Sequence, residues 1–146
     1  AGDENLRVID ARHAFIINNI LSEVIKTGTG KKARSLGRPD LAGKTGTTND
    51  AFDAWFAGYQ PTLAAITWFG FDSPKSLGKN QTGSAVALPI WIDFMKRALK
   101  DVPITFPIEP RGIIRINDDL FTEDTTPPSG ILSIDVKTLD DKIDPT

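Results

Sequence analysis

Ile17, Ile20, Leu21 and Val24 recur at i, i+3, i+4 and i+7, the spacing of one apolar helix face. Asp10 stands where an N-cap belongs, Lys26 suits the negative end of the helix dipole, and Gly28 and Gly30 follow. The pattern predicts a helix over 10–26. From residue 41 the period shortens to that of strands, over 41–48, 53–59 and 63–71. Gln60-Pro61-Thr62 is short enough to join the last two as an antiparallel hairpin, and the third, apolar nearly throughout, is expected to be buried on both faces. Residues 72–87 carry Pro74, Gly78 and Gly83 and read as a long loop. Pro89 then opens a second helix with Trp91, Phe94, Met95 and Ala98 on its stripe. The fold class is mixed α/β (α+β), an antiparallel sheet flanked by helices.

Composition sets limits on this picture. At 146 residues, 40% hydrophobic and 25% charged, the chain is globular and sized for one domain. It opens on Ala1 and has no targeting segment, so it reads as a piece of a longer protein. Its charge is uneven. Residues 1–100 hold 13 Lys and Arg against 9 Asp and Glu, while residues 101–146 hold 4 against 10, with six of the ten prolines. That shift marks a boundary near Asp101 and divides the chain into a folded part, 1–100, and an acidic, Pro-rich tail, 101–146. The tail is expected to be extended and loosely attached beyond Val102, with a short edge strand at 113–116 and no structure over 122–130. A net charge of −2 gives no case for nucleic acid. The absence of Cys excludes disulfides and thiolate chemistry, and a lone His13 makes no metal site. Lys31, Lys32, Arg34 and Arg38 form a basic connection that reads as a solvated loop.

The candidate chemistry lies in Lys44-Thr45-Gly46-Thr47. An acyl-transfer site needs a fixed backbone N–H at the developing oxyanion and hydroxyl or cationic groups that grip a nearby carboxylate. Residues two apart on a strand share a face, so Thr45 and Thr47 can present hydroxyls together while Gly46 leaves room for substrate and the Thr47 N–H serves as oxyanion donor. Alternation sends Lys44 to the opposite face, so a catalytic role for it requires a site along the strand's edge, reached by its flexible stem.

The wider context is Ala42-Gly43-Lys44-Thr45-Gly46-Thr47-Thr48-Asn49-Asp50, then Asp53-Ala54-Trp55-Phe56-Ala57-Gly58-Tyr59, then Trp68-Phe69-Gly70-Phe71-Asp72. With Gly28-Thr29-Gly30, Leu36-Gly37-Arg38, Thr82-Gly83 and Ala87-Leu88-Pro89-Ile90-Trp91, it resembles the class A penicillin-binding proteins over about residues 8–100. These are bifunctional bacterial cell-wall synthases that join a glycosyltransferase to a D,D-transpeptidase. The resemblance implies the C-terminal part of the transpeptidase domain, with the penicillin-binding fold. It implies a serine nucleophile outside this chain, Lys44 in the catalytic cluster, and Thr45, Gly46 and Thr47 as substrate-binding residues. No cofactor or metal is implied. The implied partners are peptidoglycan stem peptides, β-lactams and the missing upstream part of the domain, and the implied location is the periplasmic face of the inner membrane, anchored by a segment not in this chain. One departure from the family pattern is Ser84, where a second glycine is usual.

Ser76-Leu77-Gly78-Lys79 matches Ser-x-x-Lys literally, but it lies beyond the triplet in a Gly- and Pro-containing stretch rather than opening a helix. Trp55, Phe56, Trp68 and Phe69 read as sheet core in preference to a sugar platform, and Trp91, Phe94 and Met95 as helix core. Two alternatives stay open at this stage: a serine β-lactamase or D,D-carboxypeptidase relative, and a non-catalytic sensor or scaffold module. Three strands and two helices alone also leave an open sheet edge and an uncovered apolar face.

Overall fold

A computed structural model describes residues 8–127 and divides the chain into two compact units. The larger, Ala14–Ile108, holds most of helix α1 (Ala11–Lys26), strands β1 (Ala42–Thr47), β2 (Asp53–Gln60) and β3 (Leu63–Gly70), and helix α2 (Leu88–Ala98). The three strands form an antiparallel sheet in the order β1-β2-β3, so β2 is central. This is the expected class, an antiparallel sheet flanked by helices.

The β2–β3 turn is two residues long because Gln60 closes it. Its buried Oε1 accepts the N–H groups of Thr62 and of Leu63 (3.0 Å), together with the Thr62 hydroxyl at 2.7 Å. One face of β2 makes the core: Ala54, Phe56 and Gly58 alternate with more open neighbours. Phe56 meets Trp91 of α2 edge-on, ring centroids 4.9 Å apart, and the Trp91 indole donates to the Ala65 carbonyl at 3.1 Å. Such close packing needs Gly58, where a Cβ would stand 2.6 Å from Phe56 Cε1 and 2.7 Å from Trp91 Cζ2. Leu88, Met95, Leu99, Ile25, Ala33 and Leu41 complete the cluster.

Four expectations fail here, two of them because α2 packs on the Phe56 face of the three-stranded sheet. The third strand is not buried on both faces: β3 is an edge strand without a buried residue, and Ile66 is 67% exposed. Trp55, Trp68 and Phe69 are not core but 42–44% exposed. Trp55 and Trp68 pair across the strands, the Trp68 indole donating to Asp53 at 2.8 Å. On α2 the buried positions are Leu88, Trp91 and Met95, with Leu99 just beyond its end, leaving Phe94 and Ala98 exposed. On α1 the buried position is Ile25, and Asn18 accepts the Tyr59 hydroxyl at 3.0 Å. At about 100° per residue, Ile17 lies about 80° and Ile20 about 140° from Ile25, so both are exposed.

The basic connection is also ordered, as a 3-10 helix at Lys31–Leu36 with Ala33 fully buried. Nor is the chain loose just beyond Val102. Arg38 forks onto Asp40 (3.0 and 2.7 Å) and donates to the carbonyls of Val102 (2.7 Å) and Pro103 (3.1 Å), while Asp40 also accepts the Thr105 N–H at 3.2 Å. Of the long loop expected over 72–87, residues 72–82 are irregular as expected, but Gly83–Ala87 form a π-helical turn that runs into α2.

The smaller unit combines the residues before Ala14 with those from Glu109 onward. Asp10 caps α1 as expected, its Oδ1 accepting the Arg12 N–H at 2.7 Å, and the Arg12 guanidinium bridges Asp10 (2.9 Å) and Asp124 (3.2 Å). The strand at 113–116 is β4 (Ile113–Ile116), and it has an unforeseen partner in β5 (Asp119–Thr122). Residues 122–125 are structured rather than irregular. Thr122 is buried and caps a 3-10 turn at Glu123–Thr125 through hydroxyls 2.7 Å apart. The remainder of the expected tail, from residue 128, lies outside the described residues.

Two predictions follow from charge. The Asp40 carboxylate is fully buried and the Arg38 side chain only 11% exposed, so Asp40→Ala strands a buried cation. The substitution is expected to cost about 3–5 kcal/mol, read as a lowered urea midpoint; an unchanged midpoint would contradict the assignment. The Arg12 side-chain hydrogen bond, followed by the Arg12 backbone hydrogen bond, holds Asp10 down to about 2 from the ordinary 3.8. A depressed carboxylate contributes stability above its unfolded value and loses it as pH falls. The start of α1 is therefore expected to fray between pH 3.8 and about 2, and an Asp10 carboxyl titration by NMR with an ordinary midpoint would exclude the cap.

Candidate active site

The Lys44-Thr45-Gly46-Thr47 run occupies β1, which lies at the sheet edge. The Thr48 N–H donates to the Asp53 carbonyl at 3.1 Å, in continuity with the Thr47↔Ala54 register. Bonded and non-bonded pairs alternate along an antiparallel ladder. Gly46↔Trp55 and Lys44↔Ala57 are therefore the bonded pairs, and the amides and carbonyls of Thr45 and Thr47 turn toward the other edge. Among the described residues no strand pairs with that edge. Lys44 starts on the opposite face from the threonines, yet its Nζ donates to the Thr45 carbonyl at 2.9 Å. Its stem thus curves round to the unpaired edge, and the ammonium lies on the same edge as the Thr47 amide.

Thr45 and Thr47 share the face of Phe56 and Ala54, through the registers Thr45↔Phe56 and Thr47↔Ala54. Both hydroxyls are already engaged. Thr45 Oγ1 lies 2.8 Å from the Thr29 hydroxyl, and Thr47 Oγ1 accepts the Gly83 N–H at 3.1 Å. Gly83 sits directly on the backbone of the Gly46↔Trp55 pair, where a Cβ would lie 2.3 Å from the Trp55 carbonyl oxygen and 2.6 Å from that of Gly46. Only glycine allows this approach. The neighbouring turn is fastened by Lys32 Nζ on the Ser84 carbonyl (3.3 Å) and by a Thr82–Ser84 hydroxyl pair (3.0 Å).

Sequence reasoning named Lys44, Thr45, Gly46 and Thr47 of β1 but gave no role to Thr29 or Gly83. The signal was present, since Gly28-Thr29-Gly30 and Thr82-Gly83 both belong to the spaced motifs. Ser76 and Lys79 lie in irregular chain, with the Ser76 hydroxyl on the Asp50 carbonyl at 2.8 Å, so they do not stand one helical turn apart. The β1–β2 connection turns through left-handed Asp50 and Ala51 (φ 60° and 52°), held by Asp53 N–H on the Thr48 hydroxyl at 2.9 Å.

Comparison with curated proteins aligns 84% of this chain, 122 residues, with penicillin-binding protein 1A of Pseudomonas aeruginosa at 50% identity. The chain is homologous to a segment of penicillin-binding protein 1A. Penicillin-binding protein 1A of Neisseria lactamica and of Neisseria gonorrhoeae match 85% of the chain at 41% and 40% identity. The chain spans only 15–16% of the length of these relatives. A crystal structure of penicillin-binding protein 1A from Haemophilus influenzae superimposes with a TM-score of 0.70 at 37% identity, covering 74% of this chain and 18% of that one. The fold is therefore that of the matching segment of penicillin-binding protein 1A. No protein-family model matches the chain.

Gly83→Ala tests the contact beneath the site. The added methyl must displace the turn from β1, and the expected cost is about 1–3 kcal/mol, seen as a lower unfolding temperature with faster amide exchange at Thr47. Unchanged exchange at Thr47 would show that the turn does not brace the strand.

Proposed function

We propose that this chain is the C-terminal part of a class A penicillin-binding transpeptidase domain, and that the open edge of β1 borders its acyl-transfer site. The observation that carries this reading is the position of the Lys44 ammonium, bent 2.9 Å from the Thr45 carbonyl on the edge toward which the Thr47 amide also points. A cation, a fixed N–H and two hydroxyls on one accessible line suit a substrate that carries a terminal carboxylate next to a reacting carbonyl.

On this reading a serine from a segment outside the chain attacks the D-Ala-D-Ala peptide bond of a stem peptide. The Thr47 N–H receives the oxyanion, and the Thr45 and Thr47 hydroxyls hold the carboxylate. Gly46 leaves space for the peptide backbone, and Lys44 lowers the proton affinity of the neighbouring hydroxyl and offsets the carboxylate charge. D-Ala leaves, and an amine from a second stem peptide resolves the acyl-enzyme. A β-lactam imitates the dipeptide and stalls at the acyl stage. The partners are peptidoglycan stem peptides, β-lactams and the upstream part of the same domain. The rest of the parent protein carries the glycosyltransferase and the anchor that holds it at the periplasmic face of the inner membrane. On this reading the transpeptidase domain ends in the region past Asp101 where charge and proline content change, the larger compact unit running to Ile108.

The test is acylation of the full-length protein by a fluorescent penicillin. Lys44→Ala is expected to slow acylation at least about a hundredfold and Thr47→Val about tenfold, the range for losing one preorganised group or one charge-assisted hydrogen bond. Acylation at the unaltered rate in both variants would remove the reading.

A further inference from the structure

We infer that Thr29 is a positioning residue of this site, its hydroxyl donating to Thr45 so that the single Thr45 proton is committed to the substrate carboxylate. The inference rests on the reading of β1 given above.

Thr29 lies in the turn that follows α1. That turn is held by the N–H groups of Thr27 and Gly28 on the Glu23 carbonyl (2.9 and 3.2 Å) and of Gly30 on the Val24 carbonyl (2.9 Å). The chain then enters the 3-10 helix through Ala33 N–H on the Gly30 carbonyl at 2.9 Å. With Gly30 buried and Thr29 exposed between these anchors, the Thr29 side chain points outward, and its hydroxyl reaches Thr45 Oγ1 at 2.8 Å across 16 residues of sequence. An exposed hydroxyl pair does little for the core. Its consequence is at the strand edge.

A hydroxyl has one proton to give and can accept from two directions. For Thr47 the matter is decided by the backbone: the Gly83 N–H can only donate, so the Thr47 proton is left for another acceptor. For Thr45 the partner is a second hydroxyl, and either atom can be the donor. A carboxylate beside Thr45 can only accept, so it takes the Thr45 proton. The 2.8 Å contact then survives only with Thr29 as donor. The result is a relay, Thr29 O–H to Thr45 O–H to carboxylate, in which each bond polarises the next. Thr45 and Thr47 thus become equivalent: each accepts from the protein and donates to the anion. Thr29 touches no reacting atom, and the β-branch at its Cβ limits the rotamers from which its hydroxyl donates.

The experiment measures acylation of the full-length protein by benzylpenicillin and by its methyl ester, which lacks the carboxylate charge. Thr29→Val is expected to weaken benzylpenicillin recognition about tenfold, in the pre-acylation binding constant rather than in the acylation step. Reaction with the ester should change less than about twofold, and Thr29→Ser, which keeps the donor, should restore most of the loss. Thr29 is exposed, so the unfolding temperature is expected to stay the same; should Thr29→Val nonetheless fold poorly, Thr29→Ala against Thr29→Ser gives the same contrast. Equal losses with both compounds, or no loss while Thr47→Val remains slow, would overturn the role of Thr29 and leave the reading of β1 standing. Unaltered rates in Thr29→Val, Thr47→Val and Lys44→Ala together would overturn both.

Discussion

The Thr48 amide bonds to the Asp53 carbonyl, and with that one contact the ladder between β1 and β2 is set in phase. A shift of one position would turn the amides of Thr45 and Thr47 inward and those of Lys44 and Gly46 outward. In the observed phase the outward set includes the Thr47 N–H and the Thr45 carbonyl, and the latter draws the Lys44 ammonium round from the opposite face. A strand bonded on both sides could present none of these groups. The proposed site depends on an edge strand that carries polar residues and, among the described residues, has its backbone held on one side only.

The core serves that arrangement from beneath. Phe56 and Trp91 lock β2 to α2, and Gly58 lets the rings approach the sheet. The residues leading into α2 are then carried back over β1, where Gly83 rests on the Gly46↔Trp55 pair and donates to Thr47. The turn after α1 likewise brings Thr29 to Thr45. Each threonine of the strand is therefore gripped by a segment distant in sequence, and the two grips differ in kind: an amide that can only donate, and a hydroxyl that can do either.

The local elements were legible because their signals are local. Asp10 before an amphipathic run, Pro89 in the first turn of α2 and a two-residue turn after Gln60 each determine structure within a few positions. Which face is buried was less legible, since that depends on what covers the sheet. The apolar run at 63–71 and Phe94 read as core, yet Ile66 and Trp68 lie on an edge strand with no buried residue, and Phe94 lies on α2 away from the buried Trp91 and Met95. The hairpin partner β5 and the Arg38–Asp40 anchor for residues 102–105 escaped notice for another reason. Asp119 and Asp40 look like loop residues until their partners are known. Within the proposed site, residue types in order pointed to β1, whereas the contacts of Thr29 and Gly83 with it span 16 and 36 residues, which no spacing rule anticipates.

The most direct measurement is a crystal structure of the full-length polypeptide acylated by penicillin. The account predicts the acyl carbonyl oxygen about 2.7–3.1 Å from the Thr47 amide nitrogen, with the drug's carboxylate against the hydroxyls of Thr45 and Thr47 on the outer edge of β1. A drug bound away from that edge, or a carbonyl oxygen held wholly by other donors, would contradict it.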